Sequence, residues 1–279
     1  MQRCRKVTLT LRLKKPIKIP VDAQCISPDA FAGKSLGEVA KSELWVGNRM
    51  RMLGDIFAIE GDLGKTPAEV ALRLSGDLRT FRRLGAGMTE GKVQIQGDVG
   101  VRTGEKMKGG GITVVGSVGS WTGLEMKGGA IEVQKDAGDY IGGAYRGSTK
   151  GMQGGTITIH GNAGTEVGSY MRRGLIKVYG DVRQFAGIHM KNGVLVVQGR
   201  AGERAGAYMT GGKIILCGHT PSILPTFTID AVKGKAKANG EEIKGPFYLF
   251  LGDLAEHGSG RLYVSQNENE HLKGLEELL

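Results

Sequence analysis

Methionine is the residue in this sequence whose spacing could do chemistry. Met88, Met107, Met126, Met152, Met171, Met190 and Met209 are spaced 19, 19, 26, 19, 19 and 19 residues apart. A column of thioethers could hold a soft metal, and five histidines (His160, His189, His219, His257 and His271) could add nitrogen ligands. The histidine spacing speaks against this. No two form HxH or HxxxH, and His160 and His189 fall at different points of the repeat, so surface histidines are expected. The methionines read better as interior packing, because an unbranched thioether fills irregular space. Cys4, Cys25 and Cys217 are odd in number, far apart and without CxxC, which suggests neither a disulfide framework nor a zinc site. They suit a reducing, cytoplasmic setting. GxSxG, P-loop and HExxH patterns are absent. Gly109-Gly110-Gly111 imitates a phosphate loop, yet such triplets recur with the period and no helix follows. The sequence therefore predicts no catalytic, cofactor-binding or metal-ligating residue in this chain.

Two surface features remain. The residue after each Met is Thr89, Lys108, Lys127, Gln153, Arg172, Lys191 and Thr210, so four cations would form a ladder on one face. Such a ladder is either a solvated face that discourages strand aggregation or a contact for an acidic partner or polyanion. The second feature is the 26-residue interval. Seven extra residues between Gly142 and Met152 must leave the repeating body as a loop. It carries Tyr145, Arg146 and Lys150, and Tyr and Arg are enriched at interface hot spots. The loop is a tolerated insertion or a specific contact projected from a rigid body. The net charge of +10 invites nucleic acid, but aromatic residues make up only 6% and few interleave with the cations as base platforms would.

The elements that position these residues follow from the same period. A glycine stands three residues after each Met (Gly91, Gly110, Gly129, Gly155, Gly174, Gly193 and Gly212), and another three residues before most of them. An aliphatic pair falls five and seven residues after each Met, as in Ile112/Val114 and Ile176/Val178. The pair is a short strand with one face inward, and the glycines are corners needing left-handed backbone or close approach. A fixed period of this length means a repeat architecture. The expected fold is all-β: a right-handed parallel β-helix of about seven to eight coils with a 19-residue period, between non-repetitive N- and C-terminal caps. At about 4.8 Å per strand, seven coils make a rod of roughly 34 Å. The expected division is an N-terminal cap over 1–69, the β-helix over 70–220, and a C-terminal cap and tail over 221–279.

Within the caps, Val7 to Leu13 alternate as a half-buried strand, and Ser35 to Glu38 form a capping box before a short helix. Trp45-Val46 and Arg49 to Ile59 read as two strands joined near Gly47-Asn48. Phe227 to Val232 reads as a strand, Lys233 to Lys244 as a charged turn around Asn239-Gly240, and Glu268 to Leu279 as a short helix or tail. The basic N-terminus lacks the apolar run of a signal peptide, and no stretch approaches 18 apolar residues, so no membrane span is expected.

Several stretches carry a family resemblance. GDYIGGAYRG from Gly138, GMQGGTITIHGNAG from Gly151, PDAFAGKS from Pro28 and PFYLFLGD from Pro246 resemble the C subunit of formylmethanofuran dehydrogenase. The repeat alone is also similar to the C-terminal β-helix domain of the glutamate synthase large subunit, and to the C subunit of the bacterial formyltransferase/hydrolase complex. The resemblance implies a non-catalytic scaffold subunit. It implies a complex that reversibly reduces CO2 and formylates methanofuran, with a molybdenum or tungsten pterin, a binuclear metal site and iron–sulfur clusters on other subunits. The implied partners are a pterin-binding and an amidohydrolase-like subunit. The alternatives are a scaffold for a formyltransferase/hydrolase complex or a domain serving another amidotransferase.

Overall fold

The computed structural model describes residues 7–279, so Cys4 and the basic segment before Val7 lie outside the described residues. The chain opens with β1 (Val7–Leu13), β2 (Val21–Asp22), α1 (Pro28–Phe31), α2 (Leu36–Ala40), β3 (Glu43–Val46), β4 (Arg49–Met52), α3 (Leu53–Ile56) and β5 (Phe57–Gly61). The repeating part supplies β6 (Val70–Ser75), β7 (Phe81–Arg82), β8 (Lys92–Gln96), β9 (Gly111–Val114), β10 (Ala130–Val133), β11 (Gln153–Ile159), β12 (Arg173–Val178), β13 (Val194–Val197) and β14 (Lys213–Leu216). The chain closes with β15 (Thr228–Ala238), β16 (Glu241–Gly252), β17 (Gly260–Ser265) and a 3-10 helix over Glu270–Leu278. No helix among the described residues is long and apolar enough to cross a membrane.

Thirteen strands form one mixed sheet in the order β15-β16-β17-β14-β13-β12-β11-β10-β9-β8-β6-β1-β5. From β1 to β14 every neighbour is parallel and in register, so Ile112 pairs with Ile131 and Ile176 with Leu195. Register survives the long interval, because Ile131 pairs with Ile157 across it. A second line of single bridges runs Leu78, Val99, Val118, Ala137, then Ala163, Val182, Ala201. Each repeat thus contributes one strand and one further bridge. Alternate strand residues turn inward, and the Ile/Val pairs and all seven repeat methionines are buried.

The period has a specific packing cause. At six successive repeats, the glycine after Met sits over the methyl of the preceding Met. A Cβ on Gly110, Gly129, Gly155, Gly174, Gly193 or Gly212 would stand 2.6–3.0 Å from that Cε. These glycines, and Gly91, hold φ between +73° and +97°.

The corners are not built of glycine alone. Two further positions per repeat, five residues and one residue before Met, adopt positive φ with full side chains: Arg102, Trp121, Tyr140, Glu166 and Phe185 at the first, Lys106, Glu125, Tyr170, His189 and Tyr208 at the second. The left-handed turn points each N–H at the following repeat, as in Trp121 N–H to Asp139 O (2.8 Å) and His189 N–H to Ala207 O (2.8 Å). A main-chain hydrogen bond to the next repeat thus accompanies a conformation that costs an L-residue about 1–2 kcal/mol.

The flanks differ from the sequence-based expectation in two places. Arg49 to Ile59 is not one strand, because α3 interrupts it where Asp55 folds back to accept the Met52 N–H (3.4 Å). Lys233 to Lys244 is not a turn region but most of a hairpin, with only Asn239 (φ 49°) and Gly240 (φ 90°) turning. The hairpin is extended because its apolar alternates have somewhere to go. Ala236, Ala238, Phe247 and Leu249 pack on Val196 and Ile215, the outward residues of β13 and β14. After it, β17 returns parallel to β14, so the last segment prolongs the stack as well as closing it. Ser35 and Glu38 form the expected capping box of α2.

A tight glycine predicts a large cost. In Gly129→Ala, the Cβ meets the Met107 methyl at 2.6 Å and backbone of Gly109 and Gly110 at 2.8 Å, at φ +85°. The variant is expected to lose about 2–4 kcal/mol of stability in urea unfolding. Gly111→Ala, whose Cβ meets nothing within 4 Å, is expected to be near neutral.

Candidate functional site

The expected surface loop leaves the stack after Gly143 and rejoins it at Met152, whose N–H donates to Gly142 O (2.8 Å). It is tied down along its length. Ser148 N–H closes a turn on Tyr145 O (2.8 Å), Lys150 N–H donates to Ser148 Oγ (3.2 Å), and Gly151 N–H reaches Tyr170 O (2.9 Å). Arg172 Nε and Nη2 both donate to Thr149 O at 3.3 Å. On the other side, the Arg102 guanidinium lies 5.0 Å over the Tyr145 ring, and Glu125 accepts the Tyr145 N–H (3.4 Å). Tyr145 is half exposed, and Arg146 and Lys150 are exposed.

The loop arches over a cleft of about 310 Å3 walled by Trp121, Tyr140, Tyr145, Arg146, Glu166 and Tyr170. Its aromatic floor comes from the left-handed columns: Trp121 and Tyr140 stack at 4.9 Å and 8°. A second column stacks Tyr170 on His189 (4.5 Å) and His189 on Tyr208 (4.9 Å). These columns are not among the features expected from the sequence, although Tyr170, His189 and Tyr208 stand 19 residues apart. The signal is present, but the stronger methionine and glycine periods mask it. His160 and His189 lie in different columns, His160 stacking on Tyr179 at 5.1 Å.

The four cations after Met lie at equivalent points of successive repeats. Lys108, Lys127, Arg172 and Lys191 each donate their N–H to the Met of the preceding repeat, at 2.7–2.8 Å. Lys108, Lys127 and Lys191 are exposed, whereas Arg172 is half-buried and spent on bracing the loop. The ladder and the loop therefore meet at Arg172, while Lys108 and Lys127 approach from the preceding repeats.

Burial, followed by the nearby Asp139 charge, pushes the Glu166 carboxyl above its ordinary value. Burial also lowers the His189 imidazole. Cys25 and Cys217 are free thiols that burial pushes up to about 11, the opposite of a thiolate poised for a metal. Among the described residues no three of His, Cys, Asp or Glu gather as a ligand set. The two described thiols therefore do not fit an iron–sulfur cluster, which takes several thiolates together.

The fold defines a repeat-built β protein whose strands, methionines and corners recur in register. No family model matches the chain. A stretch of 88 residues, 32% of the chain and 29% of the relative, is 39% identical to the C subunit of the molybdenum-containing formylmethanofuran dehydrogenase 1 of Methanosarcina barkeri. Another of 96 residues, 34% of the chain and 36% of the relative, is 41% identical to the C subunit of the tungsten-containing enzyme 2 of Methanothermobacter thermautotrophicus. The matches thus span about a third of the length of these curated relatives. A much longer match is structural. A chain of the formyltransferase/hydrolase complex FhcABCD from Methylorubrum extorquens, solved with methylofuran, superposes with a TM-score of 0.80 at 33% identity, covering 92% of this chain and 99% of that one. The chain belongs to the family formed by the C subunits of formylmethanofuran dehydrogenase and of the formyltransferase/hydrolase complex.

The raised Glu166 carboxyl sets a sign. An acid whose folded value is raised contributes most stability below the ordinary value of 4.5 and loses it as pH rises through the folded value. Glu166→Gln is expected to raise the melting temperature at pH 7 and leave it unchanged at pH 3.5, measured by calorimetry.

Proposed function

We propose that this chain is the non-catalytic structural subunit of a complex of the formylmethanofuran dehydrogenase type, and that its stack is a right-handed parallel β-helix. The observation that carries the reading is the superposition of almost the whole chain, flanks included, on a chain from the four-part FhcABCD assembly. The segment matches to molybdenum- and tungsten-containing enzymes support the redox form, CO2 reduction with formylation of methanofuran, over the purely hydrolytic one. The pterin metal, the binuclear site and the iron–sulfur clusters belong in this reading to a pterin-binding and an amidohydrolase-like subunit in the cytoplasm. The division into an N-terminal cap, a repeat body over 70–220 and a C-terminal cap belongs to the same proposal.

The physical role is rigidity. Register repeated from β1 to β14 leaves few soft degrees of freedom, so large partners held at different repeats keep a fixed separation. Tyr145, Arg146 and Lys150 on the braced loop, with Lys108, Lys127, Arg172 and Lys191, form the proposed partner surface. The loop is held from both sides by Arg102 and Arg172, so little conformational entropy remains to be lost on binding.

Affinity purification of the tagged chain from its native host is expected to recover a pterin-binding and an amidohydrolase-like polypeptide, with molybdenum or tungsten by elemental analysis. Recovery of the amidohydrolase-like partner without pterin metal would favour the hydrolytic alternative. The chain purified alone with tightly bound metal and turnover would overturn the structural reading. Lys127→Glu with Arg172→Glu is expected to weaken assembly roughly tenfold at low salt and less at high salt.

A further inference from the structure

The flank before the repeats carries a surface that neither the loop nor the cation ladder accounts for. β4 is the outer strand of the four-stranded sheet β4-β3-β2-β7, and all four of its residues, Arg49, Met50, Arg51 and Met52, are exposed. Its register against β3 pairs Trp45 with Met50 and Glu43 with Met52, so Trp45, Met50 and Met52 share one face. These three are 48%, 44% and 51% exposed, and Ile19, beside the Gly47 turn, is 50% exposed. Scattered exposed apolar residues are ordinary, but Trp and two Met side by side on an edge strand make a contiguous patch. Trp, Met and Arg are also the residues that interfaces concentrate.

The main chain adds a second observation. Leu53 N–H bonds to Ser42 O (2.8 Å), and in an antiparallel ladder bonded pairs alternate. The main-chain groups of Arg49 and Arg51 therefore face β3, and those of Met50 and Met52 face outward. Asp55 takes the Met52 N–H. The Met50 N–H and C=O are left aimed at solvent beside the patch. Natural edge strands are usually blunted by lysine, proline or a bulge, and β15 shows this with Lys233, Lys235 and Lys237. β4 has no such protection on its apolar face.

We infer that β4 is an acceptor edge that takes one extended segment of a partner subunit as an added strand, the segment alternating apolar and acidic residues. The inference rests on the subunit reading above. Main-chain bonds to Met50 would give the added strand its register. Its apolar side chains would cover Trp45, Met50 and Met52, and its acidic ones would face Arg49 and Arg51 on the opposite face. The arginines also decide against a second copy of this chain. Antiparallel self-pairing centred on Met50 sets Arg49 opposite Arg51, and like charges directly opposite are destabilising.

The test uses the full chain and the complex recovered through it from the native host. Hydrogen exchange is expected to be fast at the Met50 amide in the isolated chain and at least tenfold slower in the complex. A photo-reactive residue placed at Asn48 is expected to cross-link to a segment of a partner subunit with Asp or Glu at alternate positions. Met50→Pro removes only the outward N–H, which an edge strand tolerates, and is expected to lower partner recovery about tenfold. Arg49→Glu with Arg51→Glu is expected to do the same with a reduced salt dependence, and this exposed pair keeps the test sound if the proline variant does not fold. Unprotected Met50 in an intact complex, or full recovery by the charge-reversed pair, overturns the proposal alone. So does loss of self-association with partner recovery unchanged, which would make a second copy the occupant. Wild-type chain that recovers no partner overturns the subunit reading and this proposal with it.

Discussion

One steric fit governs this molecule: the methyl of each repeat methionine lies where the Cβ of a glycine in the next repeat would stand. At Gly129 the margin is 2.6 Å from Met107, with backbone on the other side at 2.8 Å, so neither partner can change alone without displacing main chain. Because Met and Gly come from neighbouring repeats, the fit acts across the interface between repeats. It fixes how far one repeat is rotated and shifted on the last, and the buried Ile/Val pairs then fall into register. Interiors are packed to the density of crystals, so a contact of this kind tolerates few alternatives.

Once the inside is set, the outside becomes a column-maker. Any side chain at a given point of the repeat stands above its equivalent one repeat away. That is how aromatic rings 19 residues apart come to stack within 5 Å, and how cations that never adjoin in sequence share a face. The long interval between Met126 and Met152 breaks the outer columns while the strands beneath stay paired. The loop it creates fills part of the gap with Tyr145, and the neighbouring repeats answer with Arg102 on one side and Arg172 on the other. A ladder of cations seen in sequence is thus not four equal charges: Arg172 is engaged, and Lys108, Lys127 and Lys191 are exposed to meet something else.

The C-terminal hairpin shows a different dependence. Its lysines alternate with alanine and glycine, a pattern that says little by itself. It extends because Val196 and Ile215 on the outside of β13 and β14 are apolar where earlier repeats carry Thr113 and Glu132. The same outward position is therefore solvated at one end of the stack and buried at the other. The N-terminal flank departs from expectation for a local reason, a carboxylate at Asp55 that turns the chain into α3 and cuts one expected strand in two.

The sequence by itself determined the repeat, its register, the inward residues and the place of the one interruption, because each of these is a matter of period, and period is written in the order of residues. It also carried the family resemblance, since the densest motifs fall on both flanks and around the interruption. The tertiary structure alone decided what sits beside what across repeats: that many of the left-handed corners are charged or aromatic residues with their N–H groups bonded onward, that Arg172 belongs to the loop, that a lysine-rich segment is a hairpin, and that β4 ends its sheet uncovered. These are contacts between positions far apart in the chain. Their energies depend on distances that no local pattern encodes.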